Sequence, residues 1–113
     1  MPKGYLVVEV DSVADPKAYE SYRSEAGPLL AKHRGKFIVK STNSGHFLTR
    51  DGVGASIPKS ESVEGGWLPP LLAICEFPTF EEAREFYYSE AYQKAVAQRL
   101  ANSKSRAILV EGT

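Results

Sequence analysis

Leu71-Leu72-Ala73-Ile74-Cys75-Glu76-Phe77-Pro78-Thr79-Phe80-Glu81-Glu82-Ala83 is the stretch on which the fold turns. Its first seven residues, apolar except for Glu76, read as a strand. Pro78 stops that strand, because proline offers no amide to a ladder. Thr79 to Glu82 then spell a capping box, in which hydroxyl and carboxylate each serve an orphan amide at a helix start. Phe80, Ala83 and Tyr87 follow at helical spacing. A second helical pattern, Tyr92, Ala95 or Val96, and Arg99 or Leu100, restarts near Ser89-Glu90. Arg106 to Glu111, with Ala107-Ile108-Leu109-Val110 at its heart, closes the chain as a strand.

The N-terminal half has the same order. Tyr5-Leu6-Val7-Val8-Glu9-Val10 reads as a strand with little polar interruption. Asp15-Pro16 supplies an N-cap and a proline at the first helical position. Tyr19, Tyr22, Ala26, Leu29 or Leu30, and His33 recur at helical spacing, and Gly27-Pro28 within them predicts a kink or a break. Gly35 ends the helix and Lys36-Phe37-Ile38-Val39-Lys40 is a second strand. Two βαβ halves give an α+β, ferredoxin-like βαββαβ sandwich with an antiparallel four-stranded sheet and its helices on one face. On this reading the first and third strands are central and run parallel to each other.

Length and composition agree with one domain spanning residues 1–113. The chain has 113 residues, 42% hydrophobic and 25% charged, with fourteen basic and fourteen acidic side chains. Those fractions exclude a disordered or fibrous chain. Zero formal charge without long single-sign runs argues against nucleic acid or a membrane surface as partner. One cysteine, Cys75, excludes an internal disulfide and a Cys-rich metal site. The apolar run Tyr5–Val10 is too short for a signal or a membrane span, so a cytoplasmic protein is expected. Residues 42–66 interrupt the two halves with five of the nine glycines. They are expected to be an inserted loop or hairpin, with His46-Phe47-Leu48-Thr49 turning at Asp51-Gly52, serving as lid, dimer arm or mobile loop.

The strand faces raise a physical question. If the helices cover Leu6, Val8, Val10, Ala73, Cys75 and Phe77, the opposite face keeps Tyr5, Val7, Leu72 and Ile74, with Ile38 beside them. A bare apolar face of this kind is unusual on a monomer, so a second copy stacked sheet to sheet is expected to cover it. The same parity puts Glu9 and Glu76 on that face. As neighbours they would share a site where both cannot ionise cheaply, which makes one of them a general acid or base; the competing reading pairs each with Lys36, Lys40 or Arg106. His46 is a candidate proton shuttle and Tyr5 a candidate for stabilising a developing enolate. Tyr22, His33, Trp67, Tyr87 and Arg99 are candidate substrate contacts. For each a blander role competes: His33 as a helix C-terminal residue, Trp67 as loop packing, the tyrosines as core aromatics, Arg99 in a helix-surface salt bridge. Gly52-Val53-Gly54 lies in no strand–loop–helix unit, and no phosphate loop, Gly-x-Ser-x-Gly elbow or metal-ligand spacing occurs. No cofactor is expected.

Lys3-Gly4-Tyr5-Leu6-Val7-Val8-Glu9-Val10, Asp15-Pro16-Lys17-Ala18-Tyr19, Ala31-Lys32-His33-Arg34-Gly35-Lys36-Phe37, Val63-Glu64-Gly65-Gly66-Trp67-Leu68-Pro69, the strand-to-helix stretch from Glu76 to Ala83, Tyr88-Ser89-Glu90-Ala91-Tyr92-Gln93 and Leu109-Val110-Glu111-Gly112 together resemble the family of unknown function DUF1330, in the dimeric α+β barrel superfamily. The resemblance implies a ferredoxin-like protomer and a homodimer. Superfamily relatives include cofactor-independent monooxygenases, muconolactone-type isomerases, haem-degrading enzymes and polyketide cyclases. The 42–63 stretch is longer than that pattern. The expectation is a cofactor-independent isomerase, cyclase or lyase acting on a small metabolite by acid/base chemistry, with cofactor-free monooxygenation as a subsidiary route. The alternative is a non-catalytic dimeric ligand-binding or stress-related protein.

Overall fold

The computed structural model describes residues 2–42 and 60–113. Its elements run β1 (Gly4–Val13), α1 (Pro16–Lys32), β2 (Lys36–Thr42), β3 (Leu71–Phe77), α2 (Phe80–Tyr87), α3 (Glu90–Asn102) and β4 (Ser103–Glu111). The expected hairpin at 46–52 and His46 itself lie outside the described residues.

The sheet order is β2-β3-β1-β4 and all three pairings are antiparallel. The ferredoxin-like α+β fold is therefore present, but β1 and β3 do not run parallel as expected. The reason is topological. The crossover through α1 makes β1 and β2 point the same way, and β3 inserts between them running opposite to both.

Local chemistry accounts for the boundaries. The Asp15 carboxylate accepts from the amides of Lys17 and Ala18 at 3.0 and 3.3 Å, with Pro16 opening α1. Thr79 accepts from the Glu82 amide at 3.1 Å to open α2, and Ser89 from the Tyr92 amide at 3.2 Å to open α3. Pro28 does not break α1, which continues to Lys32. The β1 ladder slips between Val10 and Ser12, so β1 extends to Val13 and β4 begins at Ser103, earlier than the apolar run suggests. Gly4 sits against the turn into α2, where a Cβ would lie 2.5 Å from the Phe80 Cα and 2.6 Å from the Thr79 carbonyl oxygen.

Alternation divides the sheet. Leu6, Val8, Val10, Leu71, Ala73, Cys75 and Phe77 are buried beneath the helices with Tyr19, Leu30, Ala83, Phe86, Tyr92 and Val96. Each large side chain buried there contributes about 1.5–3 kcal/mol. The other face carries Tyr5, Val7 and Glu9 opposite Glu76, Ile74 and Leu72. On β4 the residues facing them are Val110, Ile108 and Arg106. Ile108 and Val110 are exposed. Among the described residues, the returning segment meets this face where the Trp67 indole N–H donates to Glu9 Oε2 at 3.1 Å and where Ser41 Oγ donates to Ser60 Oγ at 3.0 Å. Gly65 and Gly66 both take positive φ just before it, a turn that L side chains resist.

Candidate functional site

A cavity of about 310 Å³ lies between the helices and the covered face of the sheet. Leu6, Val8, Leu30, Ala73 and Phe86 make its apolar wall. Its polar part comes from two helices that pack on each other. Tyr19 and Tyr22 stand three residues apart on α1, one above the other. Tyr92 and Arg99 stand seven apart on α3, two turns along the same face. All four line the cavity.

The Tyr22 and Tyr92 hydroxyls are 2.8 Å apart, and either one can donate to the other. Arg99 is buried, at 1% exposure. Its Nη1 donates to Ser105 Oγ on β4 at 2.8 Å, and the guanidinium carbon lies 5.3 Å from the centre of the Tyr22 ring, a cation–π distance. Its Nε is buried without a hydrogen-bond partner among the described residues. No carboxylate pairs with Arg99 among the described residues.

Burial governs the titration of these groups. It pushes the Tyr19 phenol up to about 12, helped by Tyr22 and opposed by Arg23 and Arg99. The Tyr92 phenol is raised further by burial and then by Tyr22, against the pull of Arg99. Both are proton-bearing donors at neutral pH. Burial also raises the Cys75 thiol to about 12, which removes its nucleophilic form. Lys40, beside Phe37 with its ammonium 4.9 Å from that ring's centre, is lowered by burial and then by the Arg23 charge.

Of the residues singled out by sequence, Tyr22 and Arg99 line this cavity. The helix-surface salt bridge expected for Arg99 is overturned by its burial. Tyr5, Glu9 and Glu76 stand on the opposite face, and the two acids are not neighbours. Antiparallel register sets Glu9 against Leu72 and Glu76 against Tyr5. Four positions along a strand separate them by about 13 Å. Glu9 is held by Arg106 at 3.0 Å as well as by Trp67. Glu76 is met by Lys3 at 3.2 Å and Lys36 at 3.6 Å. The hydrogen bond from Lys3, more than its charge or that of Lys36, holds the Glu76 carboxyl below its usual range despite some desolvation. Lys3 and Lys36 thus make Glu76 a stronger acid, the opposite of what a general acid near neutrality needs.

His33 caps the C-terminus of α1 with its ring 5.7 Å from that of Phe86. Tyr87 packs on Tyr88 and Tyr92 at 5.2 and 5.5 Å, outside the cavity lining. Trp67 is on the other side of the sheet. Tyr19 and Tyr92 entered the sequence reading through their helical spacing and not as candidate site residues. The signal for more was the conjunction of a three-residue tyrosine spacing on one helix with a seven-residue Tyr–Arg spacing on the other. Among the described residues, no cluster of three metal-ligating side chains occurs and no helix is long and apolar enough to cross a membrane.

Comparison with known proteins follows the geometry. A protein of unknown function from Rhodopseudomonas palustris superimposes with a TM-score of 0.68 at 18% identity, over 99% of this chain and 83% of that one. SnoaB, a cofactor-independent oxygenase from Streptomyces nogalater, superimposes with a TM-score of 0.61 at 12% identity, over 100% of this chain and 95% of its own. At these identities the likeness is one of fold. No protein of curated function matches the sequence. The profile of the domain of unknown function DUF1330 matches residues 3–113, and the chain belongs to that family.

Proposed function

We propose that this protein is a cofactor-independent enzyme that moves a proton on a small, enolisable metabolite held in the cavity between helices and sheet. The observation that carries the reading is the buried Arg99 guanidinium beside the Tyr22–Tyr92 hydroxyl pair in an apolar chamber. Fixed donors in a dry site stabilise an oxyanion far better than water does, because they need no reorganisation as charge develops. The volume is at the lower end of the range for small-molecule sites. A C–H next to a carbonyl would give its proton to a base, its electron pair would move to the carbonyl oxygen, and Arg99 and a phenol would hold the resulting enolate. Return of the proton to another carbon is isomerisation, and attack of the enolate on a second carbonyl is cyclisation. Lys40, with its lowered pKa, is the cavity group best suited to accept the proton. A cofactor-independent oxygenase on the same fold agrees with chemistry of this kind. Glu9 and Glu76 belong to the other face and are not part of this site.

The reading also includes a homodimer. Ile108 and Val110 are 62% and 42% exposed on the helix-free face, next to partly covered Tyr5, Val7 and Ile74. A second copy, meeting the same face by a two-fold axis, would remove them from water.

The test is hydrogen exchange. A β-dicarbonyl in D₂O, followed by proton NMR, should exchange its acidic hydrogens faster with the protein than with buffer. Arg99→Lys and Tyr92→Phe should each slow it. A protein that binds such compounds without accelerating exchange is a binding protein, and the enzymatic reading is then wrong.

A further inference from the structure

We infer that the ligand of this cavity is a monoanion, a single carboxylate, phenolate or enolate on a flat unsaturated body, with its charge compensated by the Arg99 guanidinium in the cavity wall. The inference deepens the proposed function and rests on the cavity being its site.

The fold gives its other covered charges opposite partners. Glu9, the other buried ionic side chain, has Arg106; Glu82 is paired with Arg34, and Glu76 has Lys3 and Lys36. Arg99 is more deeply buried than any of these, yet its described partners are neutral: the hydroxyls of Ser105 and Tyr92 and the Tyr22 ring face. A guanidinium has five N–H donors, and among the described residues the buried Nε–H has nothing to donate to. A buried cation without a counter-ion is costly, and native structures rarely leave one so unless a ligand completes it. The remaining basic and carboxylate side chains at the cavity are Arg23, Lys40 and Glu20, the last 3.7 Å from Arg23, and even with Lys40 neutral as the base the two arginines outnumber the one glutamate. The local field therefore favours a negative guest.

Shape narrows the class. Rings of Tyr19, Tyr22, Phe86 and Tyr92 form one continuous edge-and-tilt stack, with neighbouring centroids between 4.3 and 6.3 Å. Such a wall suits a planar aromatic or conjugated guest. The Arg99 charge and the tyrosine hydroxyls together suit one anionic oxygen. They form no nest of backbone amides of the kind that binds a phosphate dianion.

The probe is a nitrophenol that titrates near neutrality, its absorbance followed against pH with and without the whole protein. Stabilisation of the bound phenolate by Arg99 should lower its midpoint by at least about one unit, a tenfold preference for the anion. Arg99→Met should abolish that shift, and Arg99→Lys should reduce it while keeping the charge, with circular dichroism confirming that each is folded. If neither variant folds, the wild-type midpoint still decides. An unchanged or raised midpoint overturns the inference, as does a lowered one that survives both substitutions. Failure to bind any nitrophenol overturns it together with the cavity as a ligand site. Loss of dicarbonyl exchange with the phenolate shift intact would instead remove the enzymatic reading and leave this one standing.

Discussion

The hydroxyl of Tyr22 on α1 lies 2.8 Å from that of Tyr92 on α3, so the two helices are joined by a polar contact in the wall of the cavity. Removing either hydroxyl should cost about 0.5–1.5 kcal/mol of stability, the worth of one such bond. Tyr22→Phe and Tyr92→Phe should be non-additive in urea melts, since each destroys the same contact. Both should slow dicarbonyl exchange by roughly tenfold or more. Full additivity would mean that the hydroxyls do not interact in solution.

Alkaline pH should unfold the protein early. The Tyr19 phenol is raised from 10.0 to about 12 and the Cys75 thiol from 9.0 to about 12, both first by burial. In each case the folded state holds the proton more tightly. Their stabilising contribution is therefore complete below the ordinary values and is lost as pH climbs from 9 toward 12. For Tyr19 alone, two units correspond to about 2.7 kcal/mol. Tyrosinate absorbance should rise in two stages, the second coinciding with loss of helical circular dichroism. A single non-cooperative rise with the fold intact would contradict this.

The Arg106–Glu9 pair should respond unequally to its two deletions. The arginine side chain is 75% exposed and the glutamate 10%. Glu9→Ala leaves an arginine in water and should cost little through the ion pair. Arg106→Ala leaves a covered carboxylate with only the Trp67 N–H, and should cost about 1–3 kcal/mol. Thermal melts of the two variants are enough to compare them.

Ile108→Glu should turn a dimer into a monomer. The side chain is central on the open face, opposite Val7, and a charge there cannot be buried without a partner. Sedimentation velocity at matched concentrations reads the outcome. A wild-type chain that sediments as a monomer would remove the dimer from the proposed function.

Gly4→Ala should lose about 1–3 kcal/mol from overpacking, because the added methyl meets the main chain of Thr79 and Phe80, which cannot turn aside.

Much of this architecture was written in short-range chemistry. Asp15-Pro16 and Thr79 to Glu82 announced their helices because capping needs only residues three apart, the restart near Ser89-Glu90 showed in the spacing, and β3 was bounded by Pro70 and Pro78. Alternation also revealed which side chains of β1 and β3 share a face. Strand direction was different: parity is the same for parallel and antiparallel neighbours, so Glu9 and Glu76 were placed on the right face but at the wrong separation. Arg99 was singled out for its charge, yet spacing alone could not tell a rim arginine from a buried one. What buries it is the packing of α3 on α1, and no local pattern encodes that contact. The role of Tyr92 was hidden for the same reason, since its partner is seventy residues away.

Trp67 is the chain's one tryptophan, and its anchorage on Glu9 puts it across the sheet from the tyrosine chamber. Its fluorescence is therefore a built-in reporter for one side of the molecule. Emission should change when something settles on the open β-surface, while chamber occupancy registers through the tyrosines. In a single unlabelled sample, self-association and ligand uptake become separately observable.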